Sequence, residues 1–146
     1  MSEGINFSDR LGRCVIVVGL PYPNIASPDW KAKLEYIETT TVARLTTSEG
    51  LGREEATARG KSTARDFYEN ACMRAVNQSI GRAIRHRGDY AAIVLIDKRY
   101  GTDKIRGKLP GWIRDGLERD SHEKGLGGLM GALGGFFRSK AGKSTC

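Results

Sequence analysis

The stretch Arg74 to Arg87, RAVNQSIGRAIRHR, constrains this chain more than any other. It holds four arginines and no acid, and an apolar run, Ala91 to Asp97 (AAIVLID), follows directly. In a helix each residue advances about 100° around the axis. Met73, Val76, Ile80 and Ile84 then fall on one side, and Gln78, Arg82 and Arg85 on roughly the opposite side. One side can bury itself on a sheet while the other presents two guanidinium groups and an amide in a row. Planar guanidinium forks match phosphate oxygens, so this row suits a polyanion, with a triphosphate as the sharpest candidate.

The chain has 146 residues, enough for one domain with a hydrophobic core. Its net charge is +7, and Lys98 to Arg114 carries six basic residues against one acid, Asp103. Such a balance is either a solvated surface or a contact for nucleic acid or nucleotide. Cys14, Cys72 and Cys146 lack CxxC or CxxH spacing. Cys14 opens an apolar run and Cys72 sits in a helical pattern, so both read as buried thiols rather than ligands. Without a disulfide framework, a reducing compartment is expected. The start shows no signal-peptide pattern, and no apolar run nears the roughly 20 residues of a membrane span. His86 and His122 are far apart and no HExxH or GxSxG pattern occurs, so no metal site is expected.

Along the chain, Cys14 to Leu20 (CVIVVGL) reads as a strand buried on both faces, as in parallel sheets. Ser27-Pro28-Asp29 starts a helix whose buried stripe is Trp30, Leu34 and Ile37. Thr39 to Arg65 loses periodicity and reads as a disordered segment or an insertion. A long helix follows, about Phe67 to His86, then the second strand, AAIVLID, and a short helix from Pro110. Gly125 to Phe137 is glycine-rich, and a glycine costs about 1 kcal/mol per helical position, so at best a marginal helix is expected there. Lys140 and Lys143 add charge to an end read as disordered. The order is a βαβ-type pattern with a parallel sheet and a right-handed crossover. Two strands are too few to cover these helices, so the sheet is expected to continue in sequence outside this chain. Gly60-Lys61-Ser62 and Gly142-Lys143-Ser144 imitate the end of a phosphate-binding loop, but Glu55 and Phe137 stand where its first glycine belongs.

QSIGRAIR, Gln78 to Arg85, matches the QxxGRxxR pattern, motif VI, of superfamily 2 helicases. SEGINFSD, Ser2 to Asp9, resembles motif V of their iron–sulfur, XPD-like branch. GRCVIVVGLPYPN and VLIDKRY are similar to the same branch, and most of all to its eukaryotic chromosome-cohesion helicases, which are related to FANCJ. The resemblance runs over roughly Met1 to Gly116, apart from residues 39–65. It implies an α/β fold, part of a second RecA-like (P-loop NTPase type) domain over residues 1–117, followed by a glycine-rich basic tail over 118–146.

The resemblance also implies ATP-driven 5′-to-3′ unwinding of DNA in the nucleus. It implies ATP and Mg²⁺ held mainly by other sequence, and a 4Fe–4S cluster in full-length members with no ligands in this chain. The implied partners are DNA, a first RecA-like domain, and cohesion or replication-fork proteins. Carried onto this sequence, Arg82 and Arg85 become arginine fingers on the γ-phosphate, with Gln78 beside them. Glu3, Gly4 and Asp9 form the motif V loop against nucleotide; Ser2 and Asn6 of that loop face DNA. Asn6 stands where several relatives carry Asp. Arg99 and Tyr100 contact the DNA backbone or brace the motif V loop. Gly81 leaves room either for a ligand or for close helix packing. Asp97 either caps a turn or faces a ligand at a strand end. Trp112 reads as core rather than as a base-stacking platform.

The chain has no phosphate-binding loop, no Walker B acid pair and no cysteine quartet. It therefore reads as a C-terminal piece, or a truncated gene product, whose ATP site other sequence completes. The alternative is a non-catalytic nucleic-acid-binding module with a basic helix face, and the genomic sequence upstream of Met1 separates the two. Half an ATP site cannot orient the attacking water or hold Mg²⁺. The purified chain is therefore expected to hydrolyse no ATP in a phosphate-release assay, and Arg85-dependent turnover would contradict this.

Overall fold

The two β-branched runs of the sequence become the two strands of one parallel sheet. The computed structural model describes residues 12–84, 89–118 and 125–141. Its elements are β1 (Cys14–Val18), α1 (Pro28–Ser48), α2 (Arg53–Gly81), β2 (Ala92–Ile96), a 3₁₀ turn (Lys98–Gly101), α3 (Asp103–Arg106), α4 (Gly111–Arg114) and α5 (Leu126–Ala141). They divide into two units, one of residues 1–19 and 77–146 and one of residues 20–76.

In the first unit β1 pairs with β2 in register from Cys14 opposite Ala92 to Val18 opposite Ile96. Gly19 extends the ladder by donating its N–H to the Ile96 carbonyl at 2.9 Å. Its φ of +76° lies where L side chains rarely go, which suits glycine at this exit from the strand. At the other end, the Arg13 guanidinium pairs with the Asp89 carboxylate and donates to the Tyr90 carbonyl at 2.9 Å. The same group lies over the Tyr90 ring, 4.2 Å from its centroid. Phe136 of α5 meets that ring edge-on, with centroids 6.2 Å apart. Among the described residues of this unit, Ile80, Ala83, Val94, Tyr100, Ile105, Leu109 and Ile113 are buried.

Three expectations are corrected. β1 is not buried on both faces: Ile16 is 58% exposed, Val18 76%, and Cys14 shares their open side. A buried parallel strand needs cover on both faces, and no described element covers this one. The thiol of Cys72 is buried as expected, whereas that of Cys14 is exposed. The glycine-rich tail, expected to form at best a marginal helix, is helical over Leu126–Ala141. Phe136 packs edge-on against Tyr90 and Phe137. Lys140 lies 5.8 Å from the Tyr90 ring, while Lys143 is outside the described residues.

The second unit is a helical hairpin. Ser27 caps α1 by accepting from the Trp30 N–H at 3.4 Å, and Pro28 occupies the first turn, as its sequence predicts. Tyr68 of α2 donates its hydroxyl to the Pro23 carbonyl at 2.6 Å and stacks on Tyr22 at 5.2 Å, which pins the PYPN loop. Trp30 sits half-buried against Phe67 and Tyr68. The helices α1 and α2 run through residues 39–65, which corrects the expected disordered segment. Gly50, at φ +66°, reverses the chain between them. The Leu51 N–H closes the turn on the Leu45 carbonyl at 3.1 Å.

This region escaped the apolar period because its packing uses small residues. Ala56, Gly60 and Ala64 recur every fourth position on α2, and all three are buried. A Cβ at Gly60 would stand 2.7 Å from Val42 Cγ2 and 3.0 Å from the Glu38 carbonyl oxygen, so the two helices approach backbone to backbone. The threonines that depress helix propensity return their hydroxyls to carbonyls four residues back, Thr39 to Glu35 and Thr46 to Val42 at 2.8 Å each. Overpacking of this kind costs about 1–3 kcal/mol, against about 1 kcal/mol gained when alanine replaces a helical glycine. Gly60→Ala is expected to lower the urea midpoint of the chain, and Gly60→Val to lower it further. The same alanine at Gly131, where a Cβ meets nothing within 4 Å, is expected to raise it.

Candidate nucleotide-facing site

The arginine row of the sequence straddles the end of α2. The helix stops at Gly81, earlier than the expected His86, and the chain tightens into a turn. There the Arg82 N–H donates to the Ser79 carbonyl at 3.4 Å and the Ala83 N–H to that of Ile80 at 3.0 Å. Gln78 and Arg82 are exposed, four residues apart. Met73, Val76 and Ile80 are buried, and Ile84 is half-buried. Apart from Arg85, which is not described, the inward and outward sets are those of the helical spacing. Gly81 is exposed, and a Cβ there would meet nothing within 4 Å. Among the described residues, close helix packing does not account for this glycine.

Arg85 lies outside the described residues, as do Ser2, Glu3, Gly4, Asn6 and Asp9. Among the described residues, no group of three or more His, Cys, Asp or Glu could hold a metal ion. No described helix is long and apolar enough to cross a membrane.

At the end of β2, Asp97 caps the 3₁₀ turn by accepting from the Arg99 N–H at 2.9 Å. The Arg99 guanidinium closes on the same carboxylate with two bonds, 2.9 Å from Nε and 2.6 Å from Nη2. Of the two readings of Asp97, the turn cap is the one present. Arg99 stays about half exposed but spends its fork on Asp97. Tyr100 corrects an expectation. It is only 7% exposed, and its hydroxyl donates to the Gly19 carbonyl at 3.2 Å. So enclosed, Tyr100 is not placed for contact with the DNA backbone, and it braces the exit of β1; the motif V loop of the other reading lies outside the described residues.

The model of the helicase C-terminal domain family matches residues 1–116. The chain belongs to that family. It is 55% identical to the ATP-dependent DNA helicase chl1 of Aspergillus niger over 97% of this chain and 16% of that protein. It is 47% identical to the protein of the same name from Neurospora crassa over 96% of this chain and 17% of that one. A third, from Yarrowia lipolytica, is 50% identical over 87% of this chain and 16% of its own length. The chain thus spans about a sixth of the curated relatives it matches. The parallel pair flanked by helices accords with a partial RecA-like α/β fold.

One residue that the sequence reading misplaced is Trp112. It is 53% exposed, not core. Ile105, Leu109 and Ile113 are spaced by four, and all three are buried. They take the inward positions of this segment and leave the indole of the neighbouring residue outside. The spacing by four is present in the sequence itself.

The Arg99 side-chain bonds, followed by its backbone N–H, hold the Asp97 carboxyl down to about 2 from an ordinary 3.8. A lowered folded-state value stabilises the fold above the unfolded one, and that contribution fades as pH falls from about 4 through about 2. An NMR titration of the chain is expected to place the Asp97 midpoint near 2. Arg99→Ala is expected to return it toward 3.8, and an unchanged midpoint would show that the fork is not formed.

Proposed function

We propose that this chain is the arginine-bearing side of an ATP site in a DNA helicase. Gln78, Arg82 and Arg85 meet the terminal phosphates of ATP held by a first RecA-like domain. The observation that carries the reading is the exposed Gln78–Arg82 row beside the unfilled space at Gly81, in a chain of the helicase C-terminal domain family. A guanidinium lends two parallel donors to phosphate oxygens, which fits the charge that spreads over the transferring phosphoryl group. Arg82 and Arg85 stabilise that charge, and Gln78 orients the phosphate or the attacking water. Glu3, Gly4 and Asp9 line the nucleotide from the motif V side, and Ser2, Asn6 and Arg99 face the DNA track. The phosphate-binding loop, the Mg²⁺-binding acids and the cysteines of a 4Fe–4S cluster belong to other sequence of the complete enzyme.

The resemblance extends the proposal to 5′-to-3′ unwinding in the nucleus, alongside cohesion or replication-fork proteins. The names of the relatives support ATP and DNA as ligands.

An arginine finger contributes about 10³ to 10⁵ in rate in related phosphoryl transfers, or roughly 4 to 7 kcal/mol of barrier. In the complete enzyme, Arg82→Ala and Arg85→Lys are each expected to cut DNA-stimulated ATPase at least a hundredfold, with DNA affinity nearly unchanged. Lysine keeps the charge but loses the fork. Equal loss of ATPase and DNA affinity would instead assign the row to DNA.

A further inference from the structure

The cationic segment after β2 is anchored from within. Ile105, Leu109 and Ile113 are buried at 6%, 3% and 5% exposure. The Asn77 side-chain amide of α2 reaches the Lys108 carbonyl at 3.5 Å. Pro110 starts α4, whose Ile113 and Arg114 N–H groups both donate to the Pro110 carbonyl at 3.0 and 3.1 Å. What remains on the outside is Trp112, with Lys98, Lys104, Arg106 and Arg114 all exposed. An indole ordinarily goes inside or meets a partner, because it carries one of the largest apolar surfaces of any side chain. No described ring or cation stacks on Trp112.

Charge decides what covers it. Residues 20–76 carry eight Lys or Arg and eight Asp or Glu, so the whole net charge of +7 belongs to the unit that holds Trp112. Within it, Lys98 to Arg114 has six cations and one acid. An exposed aromatic amid cations is the combination that binds single-stranded nucleic acid: the ring stacks on a base and the cations follow the phosphates. A duplex keeps its base faces stacked inside, so a stacking ring selects an unpaired strand.

We infer that Trp112 is a base-stacking platform for single-stranded DNA, with Lys104, Arg106 and Arg114 on the backbone phosphates. The inference rests on the reading of the chain as part of a DNA helicase, and it names a contact outside the arginine row and the motif V loop. The anchor from Asn77 to Lys108 ties this contact to the helix that carries Gln78.

The test uses the 146-residue chain, a fluorescein-labelled oligothymidylate, and an abasic strand of equal length. Anisotropy reads affinity, and tryptophan emission reads stacking. Oligothymidylate is expected to quench the emission, and Trp112→Phe to remove most of that quenching while keeping affinity within about threefold. Trp112→Ala should weaken oligothymidylate about tenfold, in the range measured for one stacked base, and leave the abasic strand unaffected. Circular dichroism checks that the alanine variant folds; the phenylalanine variant decides the question if it does not. Binding of both strands with no dependence on Trp112 would overturn the inference and leave the helicase reading standing. So would capture of an acidic protein segment by Trp112 in place of the oligonucleotide. No binding of any strand by the unmodified chain would count against both.

Discussion

The parallel pairing of β1 with β2 is the constraint on which the first unit depends. Parallel strands need a long crossover, and two strands are not stable by themselves. The pair is therefore fastened at both ends. Arg13 holds the entry, reaching the Asp89 carboxylate, the Tyr90 carbonyl and the Tyr90 ring at once. Asp89 is nearly enclosed, and a buried carboxylate without its cation costs several kcal/mol. Gly19 and Tyr100 hold the exit. Parallel direction puts both carboxyl ends on one edge, so Gly19, Asp97 and the 3₁₀ turn of Arg99 are neighbours. Ligand sites of α/β sheets form at that edge, and there the backbone is held by a tyrosine hydroxyl and a carboxylate cap.

Charge and packing divide between the units. The helical hairpin of residues 20–76 is electrically neutral and relies on small residues that let backbones approach. The unit with the sheet carries the excess of cations and uses larger aliphatic anchors, Ile80, Ile105, Leu109 and Ile113. Net positive charge opposes a compact state through self-repulsion. The long cationic side chains therefore remain outside, where phosphate can compensate them.

Much of this was legible residue by residue. CVIVV and AIVLI declare strands because they are β-branched and continuous. Ser27-Pro28 declares a helix start because its cap is local. The alternation of Met73, Val76 and Ile80 with Gln78 and Arg82 is a property of one helix, so spacing alone exposes it. What escaped needed a second element. Residues 39–65 fold as helices because Gly60 admits α1, and a single-sequence period cannot see the neighbour. The tail is helical with Phe136 against a ring forty-six positions earlier, Tyr90. The burial of Tyr100 and the exposure of Trp112 escaped for a different reason. Both are aromatic and flanked by cations, and only the buried row of Ile105, Leu109 and Ile113 tells which ring the segment turns outward.

Gly60 and Gly81 make the same point within one helix. In sequence, each is a helical glycine at a cost of about 1 kcal/mol relative to alanine. At Gly60 the missing Cβ is used by Val42 and the Glu38 carbonyl, so the packing of α1 explains the residue completely. At Gly81 the missing Cβ faces nothing within 4 Å. Close packing does not offset the cost there, and the adjoining side chain is an exposed arginine. Gly81 is also the last residue of α2, where the helix-interior cost of glycine does not apply in full. The bare backbone beside Arg82 is compatible with the proposed role, in which phosphate oxygens come close to the chain for a guanidinium fork to reach them.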